Sequence, residues 1–339
     1  MSLFKTEMRR FGKRRLIRYT VLLGMLVLAA VAAFTFVSNQ PIGPEQLAAA
    51  ERAADENYRE NVRWAEEARR DCERAHASGD EEVEEHFPPD CDVIQPQPRE
   101  EIQTEWFLPP TFLFRDEFPI MITTFAAVLA LVGFVVGASF VGAEWSSGGM
   151  MNLLLWRPRR LRVLYTKLAV LLTGLAGITL VAALLWLAAF WAIGTYRGSM
   201  DGMTAGTWQS FGLTGLRGLV LVLVAGLIGF ALASAGRHTA TALGVVLGVA
   251  MVGQFGLGVA LTIAQAKFME AWLLPTYLWA WMYRKIELVN YRSCEMSPGG
   301  MCEPETMEIV WQHAGILFAV VSVLLLAVAT WSMRNRDIT

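Results

Sequence analysis

Six long apolar runs in this chain contain no Asp, Glu, Lys, Arg or His: residues 19–37, 118–141, 168–194, 218–235, 239–264 and 314–331. An ionisable group inside such a run is the usual mark of a proton relay or a coupling-ion site. Its absence argues against a proton-driven transporter. It argues equally against an intramembrane metalloprotease, which needs a cluster of ligands. The chain also lacks a phosphate-cradling Gly-Lys loop and any nucleophile set beside a base. It is therefore read as non-catalytic, with no cofactor of its own, and whatever drives it comes from elsewhere. Cysteine is scarce, with four in 339 residues and none in an apolar run.

What is present is hydrophobic bulk, 54% of the residues. Crossing a bilayer as helix takes about 20 apolar residues, and each run is close to that length or longer. None alternates apolar with polar residues, as a transmembrane β-strand would. The expected fold is an all-α polytopic membrane protein with six transmembrane helices. The first run could be a cleaved signal peptide, because Ala30-Val31-Ala32 resembles a cleavage site. Its 19 apolar residues exceed the usual h-region of about 7–15, so it is read as an anchor. Arg outnumbers Lys by 24 to 5, a flavour of GC-rich bacterial genomes.

The net charge of −2 conceals an asymmetry. Residues 1–18 carry seven bases and one acid, Glu7. The 142–167 loop carries Arg157, Arg159, Arg160, Arg162 and Lys167 against Glu144. Arg237 marks the short fourth-to-fifth connection, and Arg334 and Arg336 the C-terminal tail. Six spans put all four segments on one side, and short Lys/Arg-rich segments stay in the cytoplasm. Both termini are thus expected to be cytoplasmic. The opposite side is acidic: residues 41–117 hold 21 acids and 8 arginines, a net of −13.

Four parts follow from this. Residues 1–18 form an N-terminal interfacial helix, with Phe4, Met8 and Phe11 on one face and bases around it. Residues 19–37 are the first span. Residues 38–117 form an extracellular helical cap, rich in Ala, Glu and Arg over 44–77 and in Pro over 87–110. Residues 118–339 hold the remaining spans. Before the last span, 265–313 contains a stretch with Trp272, Tyr277, Trp279, Trp281 and Tyr283, broken by Pro275. Such a stretch suits outer re-entrant helices at the membrane–water interface.

All four cysteines fall on the acidic side. An even count confined to an oxidising compartment reads as two disulfides, Cys72–Cys91 and Cys294–Cys302. The alternative in the cap is tetrahedral zinc on Cys72, His76, His86 and Cys91.

The 142–170 stretch, "GAEWSSGGMMNLLLWRPRRLRVLYTKLAV", is more elaborate than a connecting loop requires. It resembles the cytoplasmic loop after the second span in the permease subunits of type-2 (ABC-2) ABC transporters. Glu144 stands at the family's acid and Gly148-Gly149 at its turn, although the family's Thr is missing there. Leu153, Leu154, Leu155, Pro158, Arg160 and Lys167 match the remainder. The resemblance implies an exporter whose loop couples to a separate ABC ATPase carrying ATP and Mg. The coupling residues it implies are Glu144, Trp145, Ser146, Ser147, Gly148, Gly149 and Asn152, with Glu144 offered to a basic residue of the ATPase. Arg157, Arg159, Arg160, Arg162 and Lys167 would hold lipid headgroups and set orientation. A purely topology-setting basic loop is the alternative. The resemblance further implies a second permease subunit and a bacterial cell membrane, with no nucleic-acid partner. The apolar path would suit a lipidic, amphipathic or peptide-like substrate. The rival function is a non-transporting scaffold or sensor whose cap binds a ligand.

Overall fold

A computed structural model of the chain describes residues 3–78, 87–156, 159–296 and 302–335, with backbone alone at 153–156, 291–296 and 302–303. Among the described residues, six helices are long and apolar enough to cross a membrane: α2 (Arg15–Ser38), α4 (Phe114–Ser146), α6 (Arg160–Arg197), α7 (Ala205–Gly236), α8 (Thr239–Ile263) and α10 (Trp311–Asn335). The fold is that of an all-α polytopic membrane protein. In a bilayer every backbone N–H and C=O must be satisfied within the segment, and a helix achieves this without a partner. Five helices run past both ends of their apolar runs. The 38 residues of α6 span about 57 Å at 1.5 Å per residue, well beyond a hydrocarbon core of about 30 Å.

The chain forms two compact units. The larger comprises Met1–Ala33, Arg115–Trp191 and Asp201–Thr339. It begins with α1 (Leu3–Lys13), which breaks at Arg14 before α2 starts. Inside this unit α4 and α7 make the tightest crossing. A Cβ on Gly137 would sit 2.1 Å from the carbonyl oxygen of Gly226, so no larger residue fits without parting the helices. Small residues at such crossings let two backbones meet, and the contact then rests on packing. Aromatic rings fill the space between α4, α6 and α7 nearer the other end: Phe118 lies 5.9 Å from Phe190 and 5.2 Å from Phe211, and Trp186 lies 4.6 Å from Phe190.

The helix α8 is interrupted by a π-helical segment, Val249–Gly256. Its Gln254 Oε1 accepts from the backbone N–H of Leu274 at 2.7 Å. That bond pins the start of α9 (Leu274–Tyr283). Trp281 then donates to the carbonyl of Arg217 at 2.9 Å and packs against Phe318, joining α9 to α7 and α10. Among the described residues of 265–313 the helical parts are one 3-10 turn, Met269–Trp272, α9 and the start of α10 at Trp311. Between α9 and α10 lies an antiparallel hairpin of β3 (Lys285–Met296) and β4 (Cys302–Val310), not helix. The reason is local: Ile286 and Leu288 alternate with Lys285 and Glu287, and Met307 and Ile309 with Glu308 and Val310. Leu288 and Ile309 are buried against Ala280, which gives one face of the ribbon a core.

The smaller unit is Phe34–Phe114 with Ala192–Met200. Its main element is α3 (Pro44–Ser78), 35 residues whose Pro44 is suited to a first turn. The Gly43 N–H is met by the Gln46 side chain at 3.1 Å. Ala50, Ala54, Ala65, Cys72 and Ala75 form its buried stripe. Short 3-10 turns at Cys91–Val93, Arg99–Glu101 and Thr104–Phe107 run through the Pro-rich segment that follows. The segment is tied to α3 by an Arg99–Asp55 ion pair at 2.8 Å and by Gln97 N–H donating to Asn61 Oδ1 at 3.3 Å. A two-residue parallel ladder pairs β1 (Phe112–Leu113) with β2 (Gly198–Ser199). The unit therefore takes in the end of α6, which the sequence assigns to a span.

Cys72 and Cys91 are joined in this unit, as the sequence suggests. With both sulfurs in one bond, neither is a thiolate for zinc. His76 Nε2 lies 3.0 Å from the Pro88 carbonyl and is engaged with backbone. His86 and the Cys294 and Cys302 side chains lie outside the described residues.

Candidate coupling site

The loop between α4 and α6 has a root and a tip. At the tip α4 ends at Ser146, the chain turns through Ser147 and Gly148, and the short helix α5 (Gly149–Trp156) begins. Gly148 has φ +71°, a left-handed conformation in which a side chain is strained. The turn is closed by Gly148 N–H donating to the Trp145 carbonyl and Asn152 N–H donating to that of Gly148, both at 3.2 Å. Ser146, Ser147, Gly148, Gly149 and Asn152 are exposed together, while Met150 is fully buried and anchors α5. Trp145 is half-buried with the Arg237 guanidinium 4.8 Å from its ring centre.

At the root the charges turn inward. Lys167 is fully buried and places Nζ 2.6 Å from Glu7 Oε2 and 2.7 Å from Glu144 Oε2. Glu7 is also fully buried and accepts from Arg10 at 3.0 Å. Glu144 gives its other oxygen to Arg14. Arg14 in turn donates to the carbonyls of Phe140 at 2.6 Å and Ser139 at 3.5 Å. The Phe140 ring lies under both cations, 4.8 Å from Arg14 and 5.2 Å from Lys167, and meets Phe11 edge-on at 5.5 Å. A buried ammonium is tolerated only when paired and hydrogen-bonded. Here one lysine bridges two carboxylates brought by α1 and α4 across 160 and 23 residues of chain.

Two sequence expectations change. Lys167, expected to meet lipid headgroups, is fully buried and paired with the fully buried Glu7 and the partly exposed Glu144. Glu144, expected to face a partner, has both carboxylate oxygens engaged within the chain. Arg159 and Arg162 are exposed and Arg160 half-buried, while Arg157 lies outside the described residues. Glu7 and Arg14 were missed as site residues. The signal for Glu7 was present: it is the lone acid among seven bases, and it shares a helix face with Phe4 and Phe11.

The root is a clamp between α1, α4 and α6, and the tip is an exposed surface held by that clamp. No curated protein matches the chain. The sequence profile of the ABC-2 family transporter proteins matches residues 1–337, so the chain belongs to that family, as a membrane-embedded permease component of an ABC transporter.

Proposed function

We propose that this permease is one half of an ATP-driven exporter. Two permease subunits form the path, and a separate ATPase carrying ATP and Mg seats on the tip of the 142–167 loop. Both termini, this loop and the Arg237 connection face the cytoplasm of a bacterial cell, in agreement with their basic charge. The carrying observation is the division of the loop into exposed tip and clamped root. Ser146, Ser147, Gly148, Gly149 and Asn152 are open to a partner, and the structure beneath them is cross-linked by buried ion pairs. A push on the tip is then delivered to α4 and α6 together with α1, rather than absorbed by a loose loop.

The test separates tip from root. Ser146→Arg with Ser147→Arg adds bulk and charge on exposed positions and leaves the buried pairs intact. This variant is expected to insert normally and to lose co-purification with the ATPase, along with transport. Retention of the ATPase at wild-type stoichiometry by this variant would falsify the docking assignment.

A further inference from the structure

Beside the root, α1 and the start of α5 enclose a groove of about 740 Å³. Arg9, Arg10, Lys13 and Arg14 line one side, and Gly149 and Asn152 the other. Its charge is unbalanced. Glu144 also lines it and Glu7 is buried close by, and both carboxylates are held by Lys167, Arg14 and Arg10. Arg9 and Lys13 are exposed, one helical turn apart, and neither has a carboxylate within ion-pair distance among the described residues. Five bases against two acids leave three positive charges around one open volume.

The depth of the groove identifies the anion. Arg14 ends α1 at the entry to the first spanning helix, and its guanidinium bonds to the carbonyls of Ser139 and Phe140. Those residues close the apolar run 118–141 of α4. The groove therefore sits where hydrocarbon gives way to headgroups, at the level of lipid phosphates. We propose that it binds the phosphate of one anionic phospholipid, held by Arg9 and Lys13 with Asn152 as a polar neighbour. The lipid would thereby link the interfacial helix to the elbow from the membrane side. This site shares Gly149 and Asn152 with the docking tip but takes its charge from Arg9 and Lys13, which the docking reading does not use. An acidic segment of an ATPase would approach from the tip, whereas the surplus charge lies at the mouth of α2.

The experiment uses the full chain, delipidated in detergent and titrated with phosphatidylglycerol or phosphatidylcholine under native mass spectrometry. One phosphatidylglycerol per chain is expected, bound in preference to phosphatidylcholine. Each base at a membrane surface is worth about 1 kcal/mol, so Arg9→Gln with Lys13→Gln should weaken binding about thirtyfold. Both side chains are exposed and outside the buried pairs, so this variant keeps the fold. Arg334→Gln, at the end of α10, should leave binding unchanged. Equal affinity for the two lipids, or undiminished phosphatidylglycerol binding by the double variant, would overturn the site. Displacement of the lipid by millimolar inorganic phosphate would reassign the groove to a free anion and overturn the lipid. Loss of ATPase binding in the double variant with lipid binding intact would give the groove to the ATPase. Failure of the docking proposal is read independently, in the Ser146→Arg, Ser147→Arg protein, whose substituted positions do not line the groove.

Discussion

At the scale of single residues, Lys167 carries the most consequence. It has no exposure to water, and its charge is met by Glu7 and Glu144 alone among the described acids. Removing one member of a buried ion pair costs about 3–5 kcal/mol, because the remaining charge is stranded. Lys167→Met should therefore lower the melting temperature of the detergent-solubilised protein markedly and open α1 to protease. Adding Glu7→Gln removes one stranded carboxylate. The double variant should cost less than the sum of the two singles, by about 0.5–3 kcal/mol. Strict additivity would show that the contact contributes packing and no charge coupling. The same geometry explains why Glu144→Lys is a poor test of docking: it would put a second ammonium beside Lys167 and disturb the root before any partner is reached.

At the scale of elements, the helices are held by contact rather than by amphipathic pattern. Lipid tails are as apolar as Leu, so nothing like the hydrophobic effect in water sorts one helix face from another. Close approach does that work at Gly137, whose absent Cβ leaves room for the Gly226 carbonyl. Gly177 on α6 is a matched contrast, with no atom within 4 Å of a Cβ placed there. Gly137→Ala should destabilise by about 1–3 kcal/mol through overpacking, read as a lower melting temperature. Gly177→Ala should be neutral or slightly stabilising, since Ala is the better helix former. Equal effects from the two substitutions would mean that the α4–α7 crossing is not tight. The β3–β4 hairpin shows the converse situation: its alternation of Ile286 and Leu288 with charged neighbours was legible, but aromatic residues just upstream drew the expectation toward helix.

At the scale of the whole molecule, six spans require both ends of the chain to lie on the same side of the membrane. In intact cells, Ser147→Cys and Asn335→Cys should resist an impermeant thiol reagent, and Ser78→Cys should react. The described native pair, Cys72–Cys91, is already oxidised and stays silent. Labelling of Asn335→Cys from outside, with Ser147→Cys shielded, would indicate a seventh crossing and reverse the placement of the C-terminus.

The six apolar spans, their helical form, the uneven distribution of charge along the chain and the pairing of Cys72 with Cys91 were all determined by the sequence itself. Each depends on local composition and on a solvent that forces backbone hydrogen bonds inward. The 142–167 segment was legible as a site for the same reason, because charge and turn residues interrupt two apolar runs there. The direction in which its charges point was decided only by the tertiary structure. Glu7 and Lys167 meet across 160 residues, and no periodicity in a uniformly apolar span reveals which face turns toward a neighbour. Packing of the Phe11 ring against Gly174 and Phe140 brings α1, α4 and α6 close enough for two carboxylates to share one ammonium. Once that happens, desolvation of Lys167 and Glu7 makes the shared arrangement obligatory, and the acid that looked available to a partner is held in the chain's own ion-pair network.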